Sequence, residues 1–106
     1  MQMTTPFQER VYSLCKKIPS GNVTTYGAIA QKLNSSPRAV GQALRSNPYA
    51  PIVPCHRVVC SGGRIGGFMG KQSGKEIAKK IRLLAGEGVF AEKGIVHSFS
   101  EKNWKP

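Results

Sequence analysis

The chain has 106 residues and carries 16 Lys+Arg against 5 Asp+Glu, a formal net charge of +11. That length supports one domain, residues 1–106, around a single modest core. Three cysteines cannot all pair within one chain, and no apolar run approaches the roughly 18 residues that span a bilayer, which argues against a disulfide scaffold and a membrane protein.

The opening Met1-Gln2-Met3-Thr4-Thr5 is too polar for a secretory leader, and Cys15, Cys55 and Cys60 fit no zinc spacing. They read as free thiols of a reducing compartment, cytoplasmic or nuclear, with no metal and no cofactor expected. The positive charge has two readings, a polyanionic partner or a surface kept basic for solubility, and at this density nucleic acid is the better one.

Thr5-Pro6-Phe7-Gln8 has the grammar of a helix start: Thr5 caps, Pro6 takes the first helical position and Gln8 closes a capping box. Phe7, Val11, Leu14, Cys15 and Ile18 then share one face, so Cys15 is expected as a small buried hydrophobe. Pro19-Ser20-Gly21-Asn22 makes a turn, and Val23 suits a short extended segment. A second helix is predicted from Tyr26 to Leu33 behind a Thr24 or Thr25 cap. After the break at Asn34-Ser35, Ser36 caps and Pro37 opens a third helix to about Ser46. Two short helices across a tight polar turn outline a helix-turn-helix.

The third helix has unlike faces. Val40, Ala43 and Leu44 recur at core spacing, whereas Arg38, Gly41, Gln42 and Arg45 form a small, basic outer face. Gly41 in mid-helix costs about 1 kcal/mol relative to alanine, which is accounted for either by the close approach of another backbone or by tight packing on a neighbouring helix. Asn47-Pro48-Tyr49-Ala50-Pro51-Ile52-Val53-Pro54 follows, and its prolines predict a stiff, extended connection to Cys55. Asn47 stands at the junction, as a hinge whose amide serves backbone groups on both sides or as a plain helix C-cap.

Val58-Val59-Cys60 is predicted as a strand, with Ser61-Gly62-Gly63 turning it back into Arg64-Ile65. Gly66-Gly67-Phe68-Met69-Gly70 is too glycine-rich for regular structure and reads either as a backbone loop that approaches a ligand or as a disordered surface loop. A last helix should run from Ser73 or Gly74 to about Ala85, with Ile77, Ile81, Leu84 and Ala85 inward and Lys75, Lys79, Lys80 and Arg82 mostly outward. Gly86-Glu87-Gly88 breaks it. Val89-Phe90 and Ile95-Val96-His97 are candidate short strands in the tail.

The chemistry concentrates in Pro54-Cys55-His56-Arg57-Val58. A thiol is a useful nucleophile as thiolate, and an imidazole beside it can take the proton near neutral pH. A cysteine hydrolase is disfavoured, because adjacent residues rarely form a direct nucleophile–base pair. Together with Arg38-Ala39-Val40-Gly41, Arg45-Ser46-Asn47-Pro48, Thr25-Tyr26 and Leu83-Leu84-Ala85-Gly86-Glu87-Gly88, the motif resembles the active-site domain of the O6-alkylguanine-DNA alkyltransferases, from about Phe7 to Val89.

The resemblance implies a mainly helical, winged helix-turn-helix-like fold with a short β hairpin. It implies a monomeric, single-use repair protein that binds double-stranded DNA containing O6-alkylguanine, flips the base and moves its alkyl group irreversibly to Cys55. His56 would take the thiol proton through a water, Glu87 would orient the imidazole, Asn47 would be the hinge and Tyr26 would donate toward guanine N3. Arg38 would fill the gap in the stack, and Ala39, Gly41, Gln42 and Arg45 would meet the minor groove. Val58, Phe68, Met69 and Gly70 would line the substrate pocket, with Met69 where the family frequently has serine. Family members commonly carry an N-terminal domain, sometimes with a structural zinc; this chain begins almost at the first helix, so zinc is not expected. Two other classes compete: the alkyltransferase-like damage-recognition proteins, which typically have tryptophan in place of the reactive cysteine, and a winged-helix transcription regulator with an incidental Cys-His pair.

Overall fold

The computed structural model describes residues 4–50, 52–68 and 74–106. Helix α1 (Pro6–Lys17) starts as its sequence dictates: the Thr5 hydroxyl accepts from the Gln8 N–H at 3.1 Å, and the Gln8 side chain accepts from the Thr5 N–H at 2.9 Å. Val11, Leu14, Cys15 and Ile18 are buried, and so is Tyr12, whose hydroxyl donates to the Ala43 carbonyl at 2.7 Å. A phenol is buried favourably only where its O–H finds an acceptor, and that acceptor lies 31 residues away on another helix.

Strand β1 (Thr24–Thr25) leads directly into α2 (Tyr26–Lys32), with the Thr25 hydroxyl accepting from the Ala28 N–H at 3.0 Å. Ser36 caps α3 (Pro37–Arg45) in the same way through the Ala39 N–H. Helices α1, α2 and α3 pack together over Val11, Ile29, Val40 and Leu44, and the core continues to Val53 and Cys55. The helix-turn-helix is therefore as predicted.

The connection from α3 to Cys55 departs from expectation. It folds on itself, with the Val53 N–H donating to the Tyr49 carbonyl at 3.0 Å and Val53 fully buried. Proline restricts φ and removes a donor, but it does not forbid turns, and burial of Val53 favours one here.

Cys55–Arg57 forms a single 3-10 turn before strand β2 (Val58–Val59). The predicted return through Ser61–Gly63 occurs as a second 3-10 turn, closed by the Cys60 N–H on the Arg64 carbonyl at 2.8 Å. The strand ladder nevertheless goes elsewhere: β2 pairs in parallel with β1, Thr24 opposite Val58 and Thr25 opposite Val59, while Arg64 bridges to Ile95. The start of α2 and the segment leaving Cys55 are thereby locked in register.

Helix α4 (Lys75–Gly86) contributes Leu84 to a second core with Val23, Val59, Ile65, Val89 and Val96. Lys80 corrects the expectation of an outward lysine, for it is fully buried. The hairpin lies in the tail, as β3 (Ala91–Glu92) and β4 (Ile95–Val96) around Lys93-Gly94, both at positive φ as a tight hairpin turn requires. It begins immediately after Val89-Phe90, since Val89 is drawn into the core. A short helix α5 (Phe99–Lys102), absent from the sequence reading, follows, and the tail is tied to Val23 by the Val23 N–H on the Lys102 carbonyl and the Trp104 N–H on the Val23 carbonyl, 2.9 and 2.7 Å.

Candidate active site and nucleic-acid interface

A cavity of about 550 Å3 opens beside α3. Arg38, Gly41, Gln42 and Arg45 form one side of it, and Tyr26, Cys55 and Phe68 are also in its lining. Seven residues scattered over the sequence are thus brought to one space. A Cβ built on Gly41 meets nothing within 4 Å, which removes the reading of tight packing against a neighbouring helix and leaves room for an approaching partner. Arg38, Gln42 and Arg45 are exposed.

One predicted pocket residue lies elsewhere. Val58 is fully buried with its carbonyl turned to Lys80, because its strand is used for pairing with β1; it does not line the cavity. Ala39, expected on the DNA-facing side and not in the pocket, is half-buried in the first turn of α3. Met69 and Gly70 fall outside the described residues. The cavity also contains Cys60, which the sequence did not assign to it, and Gly66 from the glycine-rich loop expected to approach a ligand. Gly66 has φ +70°, and a Cβ there would lie 2.7 Å from Cys60 Sγ, so glycine at 66 keeps the cavity lip against the second thiol.

Behind Cys55 stands a connected polar cluster. His56 is 4% exposed, and its Nε2 lies 3.0 Å from Glu87 Oε2. Glu87 comes from the C-cap of α4, the position at which helix geometry ends and a side chain can turn back toward the 3-10 turn. Arg57 completes the cluster: Nε and Nη2 donate to the two Glu87 oxygens at 2.9 and 2.7 Å, and Nη1 donates to the Ile18 carbonyl at 2.8 Å. This fork fixes the carboxylate plane and ties the ends of α1 and α4 to the motif. Nothing in the spacing of Arg57 distinguished it from a solvated arginine.

Asn47 is buried, and both of its side-chain bonds go to the segment that follows it. Its Nδ2 donates to the Val53 carbonyl at 3.2 Å and its Oδ1 accepts from the Tyr49 N–H at 2.9 Å. Tyr26 places its hydroxyl 3.5 Å from the Gly67 carbonyl at the cavity lip.

The electrostatics follow from burial and these partners. Burial pushes the Cys55 thiol up, opposed first by the Asn47 amide and then by the Lys80 charge. Burial holds His56 below its ordinary 6.5, although Glu87 pulls the other way. Glu87 is raised by burial but lowered more by Arg57 and then His56, and ends below the usual carboxylate range. The ionised carboxylate accepts from Nε2–H, which leaves Nδ1 as the nitrogen able to take a proton. Cys15, buried and facing no cation, is pushed up to about 12 and is inert by comparison.

A helix-turn-helix thus stands beside a buried thiol, an imidazole and a paired carboxylate. Residues 6–89 match the family model described as 6-O-methylguanine DNA methyltransferase, DNA binding domain, and the chain belongs to that family. It is 49% identical over 87 residues to a methylated-DNA--protein-cysteine methyltransferase of Thermococcus sibiricus, covering 81% of this chain and 46% of that protein. A DNA base-flipping protein of Thermus thermophilus is 44% identical over 86 residues, 81% of this chain and 55% of that one. The chain thus spans about half the length of these curated relatives. Among solved structures, the ATL protein of S. pombe in complex with DNA superposes with a TM-score of 0.79 at 34% identity and covers the whole of both chains. No helix among the described residues is long and apolar enough to cross a membrane.

Proposed function

We propose that this domain carries both DNA binding and chemistry, as a single-use repair protein that transfers the alkyl group of O6-alkylguanine in double-stranded DNA to Cys55. One observation carries the reading: Cys55 lines the same cavity as Tyr26 and the basic face of α3, with His56 and Glu87 directly behind it. The exposed arginines meet phosphates and the vacated stack, Arg38 entering where the base has left; the small Gly41 lets the helix approach the minor groove, and Ala39, Gln42 and Arg45 extend that contact. The flipped base enters the cavity under Phe68, a space no base within the stack could reach.

Transfer is a displacement at carbon. The Cys55 proton passes through a water to His56 Nδ1, and the imidazolium is stabilised by Glu87. The thiolate attacks the alkyl carbon in line with the carbon–oxygen bond; the carbon–sulfur bond forms as the bond to O6 breaks. Tyr26 donates toward N3 as charge develops on the leaving guanine, so that in net balance the thiol proton ends on guanine and the thioether on the protein. A thioether has no leaving group that water displaces, hence one turnover. No metal or cofactor takes part, the chain acts as one monomeric domain, and three free thiols suit a reducing cytoplasm or nucleus.

The full-length superposition on the S. pombe protein favours, as a second reading, damage recognition without transfer. One experiment separates the two: incubation with a duplex holding one O6-methylguanine, followed by intact-mass measurement and peptide mapping. A single added methyl on Cys55 is expected. Tight lesion binding with no mass gain supports the second reading, and repeated turnover or modification of Cys15 or Cys60 overturns the first.

A further inference from the structure

Among the described residues, Lys80 is the one buried charge that the transfer chemistry above leaves unused. It is fully buried in the middle of α4, and its ammonium donates to three backbone carbonyls: Val58 at 2.8 Å, Ile65 at 2.6 Å and Gly67 at 3.0 Å. An ammonium has three N–H donors and no acceptor, so each donor has a partner, the condition under which a charge is tolerated away from water. The acceptors come from two segments. Val58 opens the strand leaving Cys55, whereas Ile65 and Gly67 flank Gly66 at the lip of the cavity. The Gly67 carbonyl is also the group nearest the Tyr26 hydroxyl, and the ammonium lies 6.0 Å from the Tyr26 ring centroid.

We infer that Lys80 is a positioning residue for the transfer, a three-way joint that holds the cavity lip at Ile65–Gly67 and the Tyr26 hydroxyl at a set distance from Cys55. The lip has no helix or ladder of its own at Gly66 and Gly67, so its carbonyls would otherwise lack fixed partners. Burial brings Lys80 down to about 8, which still leaves it mostly protonated, with all three donors, at neutral pH. The groups facing it are Tyr26 from α2 and the Cys55 and Cys60 thiols, and among the described residues no carboxylate pairs with it.

The catalytic consequence rests on the proposed transfer activity, and the structural one does not, so the test reads both. In Lys80→Met, amide hydrogen exchange at Gly66, Gly67 and Phe68 should quicken by tenfold or more while α3 amides keep their protection. The maximal single-turnover methyl-transfer rate should fall by tenfold or more, with the Kd for lesion-free duplex unchanged, because Arg38 and Arg45 are untouched. Lys80→Gln, which retains two N–H donors, should recover part of both losses, and it supplies the same readouts if the methionine variant does not fold. Unchanged exchange at the lip, or a wild-type maximal rate in a variant whose lip has loosened, would overturn the inference. A wild-type protein that never gains a methyl group would instead strike at the transfer reading, while the exchange result would still decide the joint.

Discussion

The two sides of the cavity hold cationic groups for opposite purposes. On α3, Arg38 and Arg45 stand exposed at the margin of the cavity, without hydrogen-bonding side-chain partners among the described residues. Behind and across from them, Arg57 makes three hydrogen bonds to a carboxylate and a backbone carbonyl, and Lys80 gives all its donors to backbone carbonyls. An exposed guanidinium is screened by salt and costs little to leave unpaired, so it is free for a phosphate or a vacated base stack. A buried cation without partners would be intolerable, so it serves as a fastener. The same kind of charge thus divides into an exposed set left open to a partner and an interior set fastened to the fold.

The sharpest separation is expected from Cys55→Ser: no methyl gain by intact mass, with DNA affinity by fluorescence anisotropy unchanged. A serine that still accepts methyl would break the assignment of the nucleophile. His56→Ala should slow transfer by roughly two orders of magnitude, the usual worth of a general base, and Glu87→Gln should do so less severely. Because burial holds His56 below its ordinary 6.5, wild-type transfer should stay base-competent through neutral pH and decline as pH falls through that lowered value. Raising pH should partly rescue His56→Ala, since hydroxide can deprotonate an unassisted thiol. A rate profile flat down to the carboxylate range would remove His56 from the proton path.

On the interior side, Arg57→Gln should cost about 2 kcal/mol at neutral pH by urea unfolding, the order expected for hydrogen bonds to a charged group. The sign of its pH dependence is set by Glu87, whose folded pKa is lowered: that stability is present above the unfolded carboxyl pKa and is lost as pH falls through the folded value. The gap between wild type and variant should therefore close below about pH 4. A gap that persists in acid would mean that the Ile18 carbonyl, not Glu87, is the important partner. On the exterior side, Arg38→Ala should lower transfer in duplex DNA by about tenfold, a fraction of the few kcal/mol that flipping costs, while sparing reaction with free O6-benzylguanine. Equal losses on both substrates would move Arg38 from the surface group to the interior one. Smallest of all, Arg45→Gln should weaken lesion-free binding uniformly and reduce the slope of log K against log salt by about 1; an unchanged slope would show that Arg45 meets no phosphate.

The sequence by itself determined the parts whose physics is local. Thr5, Thr25 and Ser36 cap because a hydroxyl reaches an N–H three residues on, and the spacing of Val11, Leu14, Cys15 and Ile18 or of Val40, Ala43 and Leu44 leaves a helix one face to bury. The adjacency of Cys55 and His56 needed no folding to be seen. What only the tertiary structure decided are the choices of partner across long separations. Val58 pairs with Thr24, not with Arg64, because β1 offers a parallel edge at the root of α2; Arg57 finds Glu87 thirty residues on, at the end of a helix whose direction no pattern reveals. Lys80 looked like one more outward lysine because a charge is ordinarily solvated, and it is buried only because three carbonyls from two distant segments converge on one point. Helix periodicity reports which side of a helix is apolar; it carries no information on where unpaired carbonyls will gather, and that convergence is a property of the assembled fold.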